Sequence, residues 1–380
     1  MPALNYSLED FKKFTVKVIT TELLDVIANA PLMDDKKHYI AQALDEIFKD
    51  VDLTKSFTSP LCIVYDETFY EEVIVGIHYW LRTKCADIEN ITIITAEHNG
   101  MAQWWSSWCQ VHHERSFNIV EMSYGFSHFL IGELIEPPDV QDTTSQKNIQ
   151  HYFNLYGGSY PTKDKLYLIL KSLELYHFGI VEYVGNFSTK QDVLDYVEHI
   201  TYFKNQQEID HISKLYDQYI LGNKLIIKSI TDNSVPSFME GSYFFTGHQY
   251  YVDNHCFASI VRETINDQPF STVTEKTYRA FLHQMAVVPV GYHSVKYLEV
   301  QGFWFPHDII NYDYQYEPDY SRRVTALIES VKQFTNQYSI EDLQQYYQTN
   351  VKKFQHNAQL CYTIRHDPLI TYRKLNQCDI

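Results

Sequence analysis

The chain has 380 residues, a net charge of −17, 45% hydrophobic residues and 21% charged residues. That length exceeds what a single hydrophobic core usually serves and points to two domains. The acidic balance excludes broad, sequence-independent binding to duplex nucleic acid, which is built from many Lys and Arg contacts to phosphate.

No window of the sequence reaches the apolar length of a membrane span, and Met1-Pro2-Ala3-Leu4-Asn5-Tyr6 has no basic stretch leading into an apolar run. A cytoplasmic location without a membrane span is therefore expected. Six cysteines, Cys62, Cys85, Cys109, Cys256, Cys361 and Cys378, are scattered without a close pair, which suits neither a disulfide framework nor a Cys-x-x-Cys metal site.

Residues 7–50 read as helical, with Val16, Val18, Ile19, Leu23, Leu24 and Ile27 forming a stripe. After Pro60 the pattern changes. Leu61-Cys62-Ile63-Val64-Tyr65 is a short apolar strand ending in Asp66-Glu67, and residues 70–84 form a helix. Ile91-Thr92-Ile93-Ile94-Thr95 is a second strand ending in Glu97-His98-Asn99-Gly100; a helix over 101–110 and a strand over 117–121 follow. Strands alternating with helices predict a parallel, Rossmann-like sheet covered on both faces.

Residues 136–147 are polar and proline-bearing, and the domain boundary is placed near residue 155. Gly157-Gly158-Ser159-Tyr160-Pro161-Thr162-Lys163 then leads into a helix carrying Leu166, Leu170 and Leu173, and Gly179-Ile180-Val181-Glu182 into a strand. The helical pattern resumes over 190–219 and again over 321–362. The expected organisation is residues 1–155 as a first domain with a helical N-terminal extension, 156–335 as a second, and 336–380 as a helical tail returning to the first.

The densest chemistry lies in the second domain. Cys256-Phe257-Ala258-Ser259-Ile260-Val261 is an apolar strand that runs into Arg262-Glu263-Thr264. Thr272-Val273-Thr274-Glu275 has the spacing of a capping box, so a helix should open there and carry Lys276 in its first turn. A helix N-terminus presents free backbone N–H groups and a positive dipole end, and an added lysine makes it a candidate seat for a diphosphate. Lys276, Arg279 and His283 fall on one helical face, with Tyr278, Phe281, Leu282 and Met285 as the packing side. Val288-Pro289-Val290 is the next strand, and Gly291-Tyr292-His293 ends it.

This segment resembles the donor-binding motif of the α1,3-fucosyltransferase family and of related viral and phage glycosyltransferases. There a strand ending in a Phe-Glu-Asn-like sequence leads to Thr-Glu-Lys at a helix start and then to a Val-Pro-Val strand. Here Arg262-Glu263-Thr264, Thr274-Glu275-Lys276 and Val288-Pro289-Val290 stand at those places, over roughly residues 250–305, with a weaker echo at 160–185. The resemblance implies a GT-B architecture, two Rossmann-like halves facing across a cleft. It also implies that Glu275 takes ribose hydroxyls and Lys276 the phosphates of a nucleoside-diphosphate sugar. Lys163 stands in the basic loop where the family often has Arg. A viral or phage relative implies host cytoplasm, and makes a hydroxymethylated DNA base a candidate acceptor beside a glycan.

Glycosyl transfer also needs a base for the attacking hydroxyl. The first domain offers three strand-end groups, Asp66 with Glu67, Glu97 with His98, and Glu121; Glu97 is the first choice because an imidazole and a glycine turn accompany it. Trp104, Trp105 and Trp108 suggest a stacking platform, although three such side chains on one helix cannot all face one way. The lone Asp-x-Asp, Asp50-Val51-Asp52, closes a helical region rather than a strand, which favours inverting, metal-independent transfer. Cys109 with His112, His113 and Glu114 has no second ligand pair nearby. The rival reading is a non-catalytic nucleotide-fold module, structural or virion-associated, which binds nucleotide without turnover or not at all.

Overall fold

The computed structural model of the chain describes residues 15–19, 40–46, 48–49, 52, 61–65, 71–84, 88–96, 98–122, 147–156, 163–182, 205–219, 254–263, 270–273 and 275–366. The chain divides into two compact units. The first comprises Met1–Pro137, Gln268–Val273 and Tyr362–Ile380; the second comprises Pro138–Asp267 and Thr274–Cys361.

The first unit is built on a parallel sheet of β1 (Thr15–Ile19), β2 (Leu61–Tyr65), β3 (Ile91–Ala96) and β5 (Asn118–Met122), in the order β1-β2-β3-β5. Thr15–Ile19 corrects the helical expectation for this stretch. Four of its five residues are β-branched, a class that packs well on a pleated surface and gives up rotamer freedom in a helix. Pairing with β2 from Thr15↔Leu61 to Ile19↔Tyr65 supplies what the local pattern cannot.

Helix α1 (Glu71–Lys84) links β2 to β3, and α2 (Met101–His112) lies between β3 and β5, as parallel neighbours require. A helix over residues 40–46 packs its Ile40 and Leu44 with Val73, Ile77, Trp80, Ile91, Ile93 and Trp105 in one core. It approaches α1 at Gly76, where an added Cβ would lie 2.7 Å from Ile40 Cδ1. Trp80 Nε1 donates to Asp45 Oδ1 at 2.7 Å, and this bond leads the causes that lower the Asp45 pKa. The two-residue strand β4 (His98–Asn99) pairs antiparallel with β9 (Ser271–Thr272), and Phe270 is buried against Trp104.

The second unit has its own parallel sheet: β6 (His151–Tyr156), β7 (Gly179–Glu182), β8 (Cys256–Val261) and β10 (Ala286–Pro289), ordered β10-β8-β6-β7. Helix α3 (Lys163–Ser172) lies between β6 and β7; α4 (Gln206–Tyr219) packs on α3; α5 (Glu275–Leu282) lies between β8 and β10. The chain therefore winds one way from β6 to β7 and the other way through β8 to β10. In open α/β sheets, ligands bind at the carboxyl ends of strands beside such a reversal.

Every residue of β8 and β10 is buried, which explains their unbroken apolar sequence. Among the described residues β10 is an edge strand, and side chains take two of its outward carbonyls and that of Val290 just beyond it. Tyr312 Oη donates to Val287 O at 3.1 Å, Tyr314 Oη to Pro289 O at 3.0 Å, and Arg323 Nε to Val290 O at 3.0 Å. The edge is thereby blunted without another strand.

Helix α6 (Ser294–Gln301) follows β10, then α7 (Tyr320–Gln337) and α8 (Ile340–His366), of which the part up to Cys361 belongs to this unit. The expected helical stretch over 321–362 is present but breaks at residues 338–339, where Ser339 and Asp342 form a reciprocal cap with bonds of 2.9 and 3.1 Å. No helix among the described residues is long and apolar enough to cross a membrane.

Candidate functional site

The carboxyl edge of the second sheet carries Glu263 and Gly291, two of the residues that the motif singled out. Val290 N donates to Val261 O at 3.1 Å, so the ends of β8 and β10 run side by side into Arg262-Glu263 and Gly291-Tyr292-His293. Glu263 is 1% exposed, and its Oε1 accepts a 2.5 Å hydrogen bond from Oγ1 of Thr277, which is fully buried. Thr277 is the third residue of α5. The bond pins the first turn of that helix to the end of β8.

Glu275 and Lys276 are the first two residues of α5; Lys276 and Arg279 are half-buried. Thr264 and Thr274 lie outside the described residues. Thr272 belongs to β9 and pairs with His98, and α5 opens at Glu275. His283 is buried at 8% exposure beyond the helix end, rather than continuing a basic face. Tyr278, Phe281 and Met285 are buried as the packing side, whereas Leu282 is half-buried.

The far end of α5 is fixed by a residue that the sequence reading passed over. Gln284 has a left-handed backbone (φ 54°), and Met285 N reaches Ala280 O at 3.0 Å, closing a Schellman-type turn. The buried Lys147 Nζ donates to His283 O at 3.0 Å and Gln284 O at 3.3 Å, a cation at the negative end of the helix dipole. Tyr347 Oη donates to Gln284 Oε1 at 2.8 Å. Lys147 sits at the end of the polar 136–147 stretch, where nothing local marks it as a helix cap.

Gly291 is buried, and its carbonyl accepts from Ser294 N at 3.4 Å. His293 precedes α6 in the left-handed region, φ 56°, a conformation uncommon outside glycine. At the start of α6, His293 N donates to Gln315 O at 3.1 Å and Lys296 N to Gln315 Oε1 at 3.0 Å. Lys163 is the first residue of α3, and its side chain lies outside the described residues.

In the first unit, Glu97 and Asp66 lie outside the described residues, and for His98 the backbone alone is described. Glu121 has a visible task. Gly100 at the N-cap of α2 offers no side-chain cap, and the Glu121 carboxylate accepts from Ala102 N at 2.8 Å and from the amides of Gly100 and Met101. Burial raises its pKa against the lowering effect of those bonds.

Trp105 is buried at 1% exposure, stacked on Phe117 at 4.6 Å, while Trp104 and Trp108 are half-buried. The cluster thus splits between core and rim, as helix geometry requires. Cys109 is buried, His112 stacks on Trp108, and Glu114 pairs with Arg82. Among the described residues no group of three His, Cys, Asp or Glu side chains is placed to hold a metal ion.

No family model matches the chain, and no curated protein matches it. Among solved structures it is similar to the crystal structure of a glycosyltransferase from Rickettsia africae ESF-5. The identity is 10%, the coverage 91% of this chain and 98% of that one, and the TM-score 0.33. The protein class is set by the chain's own architecture, mixed α/β with two parallel sheets.

Proposed function

We propose that the chain is a glycosyltransferase that moves a sugar from a nucleoside-diphosphate sugar to an acceptor hydroxyl. In this reading it is inverting, metal-independent and of the GT-B kind, with the second unit as donor holder. One observation carries the reading: Glu263, at the carboxyl end of β8, bonds Thr277 in the first turn of α5, so the strand end and the helix start that bear the motif form one fixed element. A helix N-terminus at the carboxyl edge of a parallel sheet, with a lysine in its first turn, has the charge and open amide geometry that a diphosphate requires.

Lys276 is assigned to the phosphates, Glu275 to the ribose, and Arg279, Thr264, Thr274, Gly291 and Lys163 to the surrounding donor shell. Glu97 is assigned the proton from the acceptor, with His98 and Asp66 as the other candidates in the first unit. The acceptor is a hydroxymethylated DNA base or a glycan.

The test is titration of Lys276→Ala with a nucleoside diphosphate. A charge-assisted contact contributes about 1.5–3 kcal/mol, or roughly 10- to 150-fold in affinity. A loss on that scale supports the reading. Equal affinity in wild type and variant would remove Lys276 from the site, and absence of nucleotide binding to either would favour the non-catalytic module.

A further inference from the structure

The carboxyl end of β10, beside the Glu263–Thr277 element, carries polar side chains whose rings pack on one another while their polar atoms take no partner among the described residues. Tyr292 and His293 stack at 4.0 Å between ring centroids with an 18° interplanar angle, and Tyr316 meets His293 edge-on at 5.3 Å. Lys296, in the first turn of α6, lies close enough to His293 to act on its charge. Among the described residues, neither the His293 ring nitrogens nor the Lys296 ammonium has a hydrogen-bond or ion-pair partner, and the Tyr292 and Tyr316 hydroxyls have none either. Tyr292, His293 and Lys296 are half-buried and Tyr316 is 52% exposed, so the group opens to solvent.

The turn that presents them is held from beneath. Arg323 is fully buried; besides Val290 O, it donates from Nη1 to Glu317 O at 2.7 Å and to Pro318 O at 3.1 Å. Its guanidinium lies 5.7 Å from the Tyr292 ring centroid and 5.5 Å from that of Tyr320. A planar fork bonded to three carbonyls and flanked by rings leaves the strand end little freedom. His293 is meanwhile in a backbone conformation that carries a cost, which persists where the surroundings over-determine it.

From this arrangement we infer a second anion-binding subsite, formed by Tyr292, His293, Lys296 and Tyr316, which takes a phosphate group of the donor diphosphate. It rests on the donor-binding reading above and adds to Lys276 further residues that distinguish a diphosphate from a nucleoside. Gln315 takes the His293 and Lys296 amides at the start of α6, and the phosphate is met by side chains, with Lys296 supplying the charge and the imidazole and hydroxyls the neutral donors. Arg323 is a positioning residue for this turn.

The experiment measures the affinity of the full chain for a nucleoside and for its diphosphate, in wild type, Lys296→Ala, His293→Asn and Lys276→Ala. Asn tolerates the left-handed backbone, and Lys296 lies at a partly exposed position, so both variants are chosen to fold; unchanged thermal midpoints verify this. Lys296→Ala is expected to weaken the diphosphate by roughly 10-fold or more, the scale of one charge-assisted hydrogen bond, and to leave the nucleoside unchanged. His293→Asn should cost less, on the order of 3-fold. If Lys296→Ala and His293→Asn bind the diphosphate as wild type does while Lys276→Ala does not, this subsite is overturned and the donor reading stands. If wild type binds no diphosphate, both fall. Arg323→Lys, which keeps the charge and loses the fork, should lower the diphosphate-to-nucleoside preference; an unchanged preference would remove its positioning role.

Discussion

Replacing Thr277 with Val removes one hydroxyl from the bond that ties β8 to α5 and changes the side-chain volume little. Thr277 is fully buried and Glu263 is 1% exposed, so water cannot take the place of the lost donor. A hydrogen bond to a charged group contributes about 1.5–3 kcal/mol, and removing one partner of a buried pair exacts the larger part of that range. We expect Thr277→Val to lower the opening free energy of α5 by about 1.5–3 kcal/mol, read by native-state hydrogen exchange on residues 275–282. Exchange is the suitable assay because the chain has two units and a single unfolding midpoint would mix them. The same variant should weaken diphosphate binding, since the helix start loses its fixed position. Protection within about 0.5 kcal/mol of wild type, the scatter expected of a neutral substitution, would refute the view that this bond fixes the helix.

Further outcomes follow from the packing. Tyr314→Phe leaves the buried Pro289 carbonyl of the edge strand without its hydroxyl donor and should cost about 1–3 kcal/mol by urea denaturation. Gly76→Ala places a methyl group 2.7 Å from Ile40 Cδ1, and its overpacking should destabilise the first unit by about 1–3 kcal/mol in the same assay. Ser339→Ala removes half of the reciprocal cap between α7 and α8 and should cost about 1 kcal/mol. Burial lowers the pKa of His78, whose Nε2 lies 2.8 Å from Arg115 O against the rings of Trp105 and Phe117. The unfolded chain therefore binds this proton more readily. Stability should fall as pH drops below about 6.5, and a His78→Gln variant should show a smaller decline between pH 7 and 5 in a thermal-melt series.

Among the described residues, six of the eight strands of the two sheets were readable in the sequence, while β1 was read as helix and β6 (His151–Tyr156) drew no strand expectation. Leu61-Cys62-Ile63-Val64-Tyr65 and Cys256-Phe257-Ala258-Ser259-Ile260-Val261 are continuous apolar runs, the signature of parallel strands buried on both faces, and each forms the strand expected of it. Residues 15–19 failed for a physical reason. Val16, Val18 and Ile19 fit both a helical stripe and a strand, and what decides between them is β2, more than forty residues away in sequence. The start of α5 shifted likewise, because Ser271–Thr272 pairs with His98–Asn99 as a strand and the helix opens at Glu275.

At the candidate site, Glu263 was legible as a strand-end carboxylate, and Lys276 as a cation in a helix's first turn. Thr277 drew no notice, since a threonine inside a helix pattern gives no sign of a buried carboxylate beside it. Arg323 was equally hidden. It falls between Arg322 and Val324 in an ordinary amphipathic pattern, and its burial arises from tyrosines at 292 and 320 together with carbonyls at 290, 317 and 318.

The central claim is that the second unit holds a nucleoside diphosphate at the start of α5. The most direct measurement is the thermal midpoint of the full chain against a panel of nucleoside diphosphates and nucleotide sugars, with Lys276→Ala run in parallel. A ligand at 100 times its dissociation constant adds about 2.7 kcal/mol to the state it binds. One diphosphate family is expected to raise the wild-type midpoint and to lose that effect in Lys276→Ala. A midpoint unmoved by every nucleotide, or moved equally in both proteins, would contradict it.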